Sequence, residues 1–450
     1  MKIALFKDDE ILKKGGWYIL VFFMILSSTN FLMFFSADNL PGINFGVTHV
    51  TFLDILLIFL GLFCIVISIK NKPSNLLLSI FILYAFFFTE IIFQIFSGRG
   101  IQLAENILKS FLVYNFIFIG ISFIKTPQDI KKLVNLLTIM VVISVVLHFY
   151  EYTIDERIYF KELYTQNKIG IVDNYSATWE ITLNKEQSEH TSYIWNRTII
   201  WVYFILVLNS FRLFNGIAKT RSLIISIMSV MAFLMSMIRS WFITVGFTFL
   251  LIILFTRNIK NIVLAIIETV VAFMAVSYIL SVYNLIDTKF ISYMLEVRFE
   301  SILPSIYGYE TTDSNFLLRL FKWGEQYNRF LDSPLFGFGM TTEFAKNFDP
   351  DTGIINTLLF GGILGTSVFI YLICKYISAG YTLYKKLKDN YWKNITGGLV
   401  LILLGITPMY LFNIDFYTSL LFGGQYIWLP CTCFLLLERI SYFSDNNLVE

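Results

Sequence analysis

Apolar runs of about 17–25 residues follow one another along the whole chain, and each is long enough to cross a ~30 Å hydrocarbon layer as a helix. This recurrence constrains the fold more than any motif does. A backbone inside lipid must satisfy its amides internally, so only helices and closed barrels can span. The runs are continuous rather than alternating, which excludes a porin-like barrel. The expected architecture is all-α: a polytopic integral membrane helix bundle forming a single domain over residues 1–450. The chain is 56% hydrophobic and 15% charged, against roughly 25% charged in soluble domains.

The runs mark about twelve spans, at 17–35, 51–69, 75–96, 103–124, 133–150, 199–211, 222–238, 241–256, 261–282, 352–374, 396–413 and 419–437. The first run reads as a retained span rather than a cleavable leader. Basic residues fill alternate connections: Lys7, Lys13 and Lys14, then Lys70 and Lys72, Lys125, Lys131 and Lys132, Arg212, Lys219 and Arg221, Arg257 and Lys260, and Lys385, Lys386 and Lys388. The short connections 36–50 and 413–418 hold no Lys or Arg. This is the positive-inside pattern, with both termini cytoplasmic. Two long loops, 151–197 and 283–351, then face outward, and the second, before the tenth span, is expected to be partly helical.

The four cysteines (Cys64, Cys374, Cys431, Cys433) all fall in expected spans. They imply neither a disulfide framework nor a metal site. His49, His148 and His190 are scattered and form no triad. No cofactor is expected, and nothing in the charge pattern points to nucleic acid.

Recognition or chemistry is most expected in the outer loop 283–351, which carries Arg298, Arg319, Lys322, Arg329 and Lys346. Within it, residues 314–331 read as an amphipathic helix with Ser314 as N-cap. Arg319 and Trp323 share a face at i,i+4, with Lys322 and Arg329 close to it, while Leu317, Leu320, Phe321 and Leu331 are available to dock on the bundle. An interfacial helix with a solvated charged face is the plainer account. The alternative turns Arg319 inward, where its planar fork can hold a phosphate in a bidentate way. Pro334 and the Gly337-Phe338-Gly339 pair then end the helix and turn the chain back toward the membrane.

Arg239 sits between the runs 222–238 and 241–255. One helix over both would be roughly 50 Å long, too long for one crossing. The chain is therefore expected to turn at 237–240 and leave Arg239 at the outer interface, as a snorkelling lipid contact or as a ligand for a phosphate. Arg197 lies where the sixth span starts, and a plain interface anchor is the favoured account of it. Asp349-Pro350-Asp351 reads as a helix-start turn rather than a metal-binding acid pair. Glu268 is an acid within the ninth span, open to a structural or a site role. Gly361, Gly362 and Gly365 suit close helix contact, and Gly405 with Pro408 suits a kink in the eleventh span.

Four motifs in order complete the pattern: Ile238-Arg239-Ser240, Arg319-Leu-Phe-Lys-Trp323, Ser333-Pro334-Leu335-Phe336-Gly337-Phe338-Gly339 and Gly362-Ile363-Leu364-Gly365. Together they resemble the bacterial O-antigen polymerase/ligase superfamily (Wzy/WaaL-type), over roughly 236–370. The family more often shows Ser-Arg where this chain has Arg239-Ser240. The resemblance implies a metal-independent glycosyltransferase in the bacterial inner membrane, acting on its outer face upon an oligosaccharide carried by undecaprenyl pyrophosphate. It implies Arg239 and Arg319 as the catalytic cations that stabilise the departing pyrophosphate. Arg197, Lys322, Trp323 and Arg329 would be substrate-binding residues. Membrane lipids and a chain-length regulator protein are the implied partners.

Ligases of the superfamily carry a histidine before the glycine-rich span, where this chain has Asp349-Pro350-Asp351-Thr352-Gly353-Ile354. That departure favours the polymerase branch, making O-antigen, capsule or a related surface polysaccharide, over ligation to lipid A core. It leaves Asp351, Glu325 and Glu343 as base candidates. A lipid-linked oligosaccharide flippase is the non-enzyme alternative. Transporters usually place charges at the midplane in repeated helices, whereas these cations fall at an interface.

Overall fold

The computed structural model describes residues 16–18, 42–45, 48–70, 74–96, 104–154, 196–236, 239–256, 259–282, 314–339, 341, 347, 352–412 and 425–447. The described residues are overwhelmingly helical. In chain order the helices are α1 (Phe52–Lys70), α2 (Asn75–Phe96), α3 (Ala104–Phe123), α4 (Pro127–Ile154), α5 (Asn196–Phe214), α6 (Lys219–Ser236), α7 (Arg239–Phe255), α8 (Ile259–Val282), α9 (Ser314–Phe330), α10 (Gly353–Lys386), α11 (Asn390–Gly405), α12 (Thr407–Phe412) and α13 (Gln425–Asp445). The expected span at 17–35 lies outside the described residues apart from the turn at 16–18.

Four stretches are long and apolar enough to cross a membrane: Asn75–Phe93, Pro127–Leu147, Gly353–Lys386 and Asn390–Leu411. Shorter apolar stretches lie at Ile58–Ser68, Tyr114–Phe123, Ile199–Phe214 and Ser240–Phe255. The molecule is a helical membrane protein, with four such spans among its described residues.

An antiparallel hairpin precedes α1, pairing β1 (Gly42–Phe45) with β2 (Thr48–Thr51) so that Phe45 faces Thr48. It falls in a connection that the apolar pattern left without structure. Helix α4 runs to Ile154 and α5 begins at Asn196, each reaching into the stretch expected as the long loop 151–197.

Local chemistry explains the helix ends. Thr126 and Asp129 cap α4 reciprocally: the Thr126 N–H donates to the Asp129 carboxylate at 2.9 Å, and the Asp129 N–H donates to Thr126 Oγ1 at 3.3 Å. After α5, Gly216 takes φ +74°. There the Ile217 N–H returns to the Arg212 carbonyl, a Schellman closure that only glycine adopts cheaply. The eleventh run breaks at Ile406, between α11 and α12 and between the two residues expected to kink it, Gly405 and Pro408.

Helices α5 and α13 form the centre. Residues Ile199 to Phe211 of α5 and Trp428 to Ile440 of α13 are buried without interruption, the all-round burial of a helix surrounded by others. Helices α3, α4, α10 and α11 pack around α13. Phe116 of α3 meets Trp428 edge-on at 4.7 Å, and Tyr376 of α10 stacks on Phe434 at 4.1 Å.

Candidate functional site

Contacts between helix ends sort the described residues between two ends of the bundle. One end gathers the start of α2, α4, α6 and α11. There Ser74 Oγ donates to the Glu438 carboxylate, Asn215 Nδ2 to Asn394 Oδ1 at 2.9 Å, and Arg221 Nη2 to Asn135 Oδ1 at 3.2 Å. The other end holds the start of α5, α7 and α10. Arg197, in the first turn of α5, and Arg239, the first residue of α7, share that end. Helix α6 ends at Ser236 and α7 begins at Arg239.

The central feature of this end is a joint between a loop and a broken helix. Inside α10, Gly362 leaves the helical region entirely, at φ 59° and ψ −161°, a conformation open essentially to glycine alone. Four hydrogen bonds knit the loop after α9 into that break. The N–H groups of Phe338 and Gly339 donate to the carbonyls of Leu359 and Phe360 at 2.7 and 2.8 Å. The N–H groups of Ile363 and Leu364 donate to the carbonyls of Pro334 and Leu335 at 2.8 and 3.1 Å. The loop therefore satisfies the last carbonyls of one half-helix and the first N–H groups of the next, groups a break would otherwise orphan. The expected continuous span at 352–374 is corrected: its glycines serve a break, and only Gly365 serves close packing, against Phe86 of α2. Gly362 lies nine residues into α10, so the loop enters the helical layer by about 14 Å.

Helix α9 docks on α10 through a stripe of half-buried Lys322 and Trp323 and buried Gln326 and Phe330. Gln326 Nε2 donates to the Asn347 carbonyl at 2.7 Å and to Asn356 Oδ1 at 3.3 Å. Continued one turn back, the stripe reaches the Arg319 position, in register with Trp323. The docking face differs from expectation in two places. Leu331 is 53% exposed. Arg329 lies on the outer side, 3.6 Å from Asp332 with both side chains about half exposed, a pair that contributes little in water. Glu325 is exposed as well. Asp351 and Glu343 lie outside the described residues, as do the side chains of Arg197, Arg239 and Arg319.

Sequence reasoning missed Glu90. It is the one charged residue in the apolar run of α2, and its side chain is 1% exposed. Phe86, Glu90 and Phe93 share one face of α2 at i, i+4 and i+7. Phe86 abuts Gly365, and Phe93 stacks on Phe336 of the loop at 4.8 Å. Glu90 thus occupies the α2 face turned toward the loop and the break. An acid within an apolar run is a functional pointer by itself, and that signal was present in the sequence. Glu268, weighed instead, is only half-buried, on a helix whose neighbouring Ile266, Ile267, Val270 and Val271 are exposed.

No protein-family model matches the chain, and no curated protein is significantly similar to it.

Proposed function

We propose that this protein is a polysaccharide polymerase of the bacterial inner membrane, of about twelve spans with both termini cytoplasmic. It joins oligosaccharide repeat units carried on undecaprenyl pyrophosphate. The acceptor hydroxyl of a new unit attacks the anomeric carbon of the growing chain. The carbon–oxygen bond to pyrophosphate breaks, and undecaprenyl pyrophosphate leaves with the electron pair. Arg239 and Arg319 are the cations assigned to that leaving charge, where a low-dielectric surrounding strengthens their effect. Lys322 and Trp323 belong to the α9 face that continues to the Arg319 position. Glu90 joins Asp351 and Glu343 as a group able to take the acceptor proton. It is the described acid facing the loop-and-helix joint, whereas exposed Glu325 and surface-paired Arg329 fit the reaction less well.

The observation that carries this reading is the joint itself. The Ser333–Gly339 turn and the Gly362–Gly365 segment, separate motifs in the resemblance, form one hydrogen-bonded unit. Arg197, Arg239 and α9 stand at the same end of the bundle. A broken helix braced by a loop holds polar backbone within a membrane only where protein covers it or a cavity uses it.

The test is the surface polysaccharide of a strain lacking the gene, run as a gel ladder beside strains complemented with wild type, Arg239→Ala and Arg319→Ala. A single attached repeat with the long ladder gone, restored by wild type but by neither variant, supports the polymerase. Polymer retained on its lipid carrier would instead mean a ligase. A wild-type ladder in both variants, inserted at normal abundance, overturns the assignment.

A further inference from the structure

At the opposite end of the bundle, four helices bring cations to one polar and aromatic patch, two of them against the ring of Tyr391. Lys131 Nζ of α4 lies 4.7 Å from the Tyr391 ring and 5.5 Å from that of Trp392, both on α11. The Arg212 guanidinium of α5 lies 5.2 Å from the same Tyr391 ring. Arg221 of α6 reaches Asn135 of α4 and is near enough to Arg212 for the two charges to repel. Lys393 completes the group, its Nζ 5.4 Å from the Tyr384 ring. Among the described residues, none of Lys131, Arg212, Arg221 and Lys393 has a carboxylate within ion-pair distance. The nearby acids are engaged elsewhere: Asp129 caps α4, and Asp389 caps α11 by accepting the Trp392 N–H at 2.9 Å.

This arrangement is electrostatically unfavourable as it stands. Arg221 and Lys393 sit in the first turns of α6 and α11, where the helix dipole disfavours cations and favours anions. Two arginines repel, and aromatic rings hold Lys131 and Arg212 in place. A bound anion turns each of these costs into an attraction, and a phosphate accepts from arginine forks with good geometry. Apolar surface continues from the cluster. Ile139, Ile143 and Val146 are exposed along the α4 stripe that begins at Asn135, and Ile224 is exposed one turn beyond Arg221 on α6. That seam suits acyl chains, whereas a soluble phosphate would leave it unused.

We propose that Lys131, Arg212, Arg221 and Lys393 form a binding site for a phosphate anion, supplied by the headgroup of an anionic phospholipid whose chains lie along the α4–α6 seam. The site rests on the molecule being a membrane protein and does not depend on the polymerase reading. It faces away from the loop-and-helix joint, so its occupant regulates or stabilises the bundle rather than reacting.

The test uses the full-length protein in dodecyl maltoside micelles. Bound lipid is counted by native mass spectrometry, and thermal unfolding is followed with phosphatidylglycerol, phosphatidylcholine or inorganic phosphate added. Wild type is expected to retain phosphatidylglycerol and unfold at a higher temperature with it, and phosphatidylcholine to do neither. Arg212→Gln/Arg221→Gln is expected to weaken phosphatidylglycerol binding about tenfold or more. Lys385→Gln/Lys386→Gln, which removes two cations outside the cluster, should leave it unchanged. Should the double arginine variant not fold, Arg221→Gln alone, at an exposed position, reads the same loss in smaller measure. An equal shift from inorganic phosphate, abolished by the same variant, would keep the anion site and reassign its source to a soluble phosphate. Equal phosphatidylglycerol binding by wild type and the arginine variants, or equal loss in the Lys385/Lys386 variant, overturns the proposal.

Discussion

Gly337 and Gly362 lie so close across the loop-and-helix joint that a β-carbon built on either would come within 2.6 Å of the other's amide nitrogen. Both residues also take positive φ, +70° and +59°, so substitution meets backbone strain as well as a backbone clash that no rotamer can relieve. Gly337→Ala and Gly362→Ala should each cost about 2–4 kcal/mol, seen as a large fall in thermal unfolding temperature in detergent. Gly324→Ala is the control. That glycine sits mid-α9 with nothing near its Cβ direction, and alanine there should be neutral or stabilising by up to about 1 kcal/mol. Matching losses at all three positions would mean that the joint is not what makes these glycines necessary.

Gln326 ties α9 to the chain ahead of α10. Gln326→Leu removes both of its carboxamide hydrogen bonds and should cost about 1–2 kcal/mol. The loss is expected locally: amide hydrogen exchange across Ser314–Phe330 should quicken while α5 and α13 stay protected. Unchanged exchange in α9 would show that apolar docking by Phe330 suffices.

Tyr203 and Thr248 share a 2.8 Å hydrogen bond in the core. Tyr203→Phe should cost only about 0.5–1.5 kcal/mol, because Thr248 keeps its 2.7 Å bond to the Thr244 carbonyl. Gly405→Ala drives a methyl into both hydroxyls and should cost more than Tyr203→Phe. Since removing the tyrosine hydroxyl relieves part of that overlap, the double variant should lose less than the two single losses added. Strict additivity in thermal unfolding would place the strain of Gly405→Ala elsewhere.

On the polymerase reading, Glu90→Gln should shorten or abolish the polysaccharide ladder by at least tenfold in long products, with the protein inserted at normal level. Glu268→Gln should leave the ladder as in wild type. A full-length ladder from the Glu90 variant would remove that residue from the reaction.

The apolar runs made most helices legible, because a period-free stretch of Leu, Ile and Phe has one good solution in lipid. Even the break at Ile406 followed from Gly405 and Pro408. The joint was not legible as a joint. Its pieces, Pro334 to Gly339 and Gly361 to Gly365, were both visible as glycine-rich punctuation. Nothing in local pattern says that one segment's carbonyls accept from the other's amides, since that pairing is decided only when the bundle closes. Leu331 and Arg329 were misplaced for a related reason. An amphipathic helix has several apolar edges, and the docking register was chosen by Gln326 and Phe330, a buried amide that hydropathy ranks as surface. Glu90 was legible and passed over, because a single acid in a run of phenylalanines barely changes the average.

The all-round burial of α13 has a consequence for how the molecule is made. Helices α3, α4, α5, α10 and α11, which enclose it, all precede it in the chain, so they enter the bilayer before the segment that fills their centre exists. Until Gln425–Asp445 emerges from the ribosome, lipid must occupy that slot, and Gly120, Gly380 and their neighbours face acyl chains instead of Leu435 and Leu437. Insertion of α13 and closure of the bundle are therefore one event. A chain that stops before α13 lacks the side chains that fill the centre of the bundle.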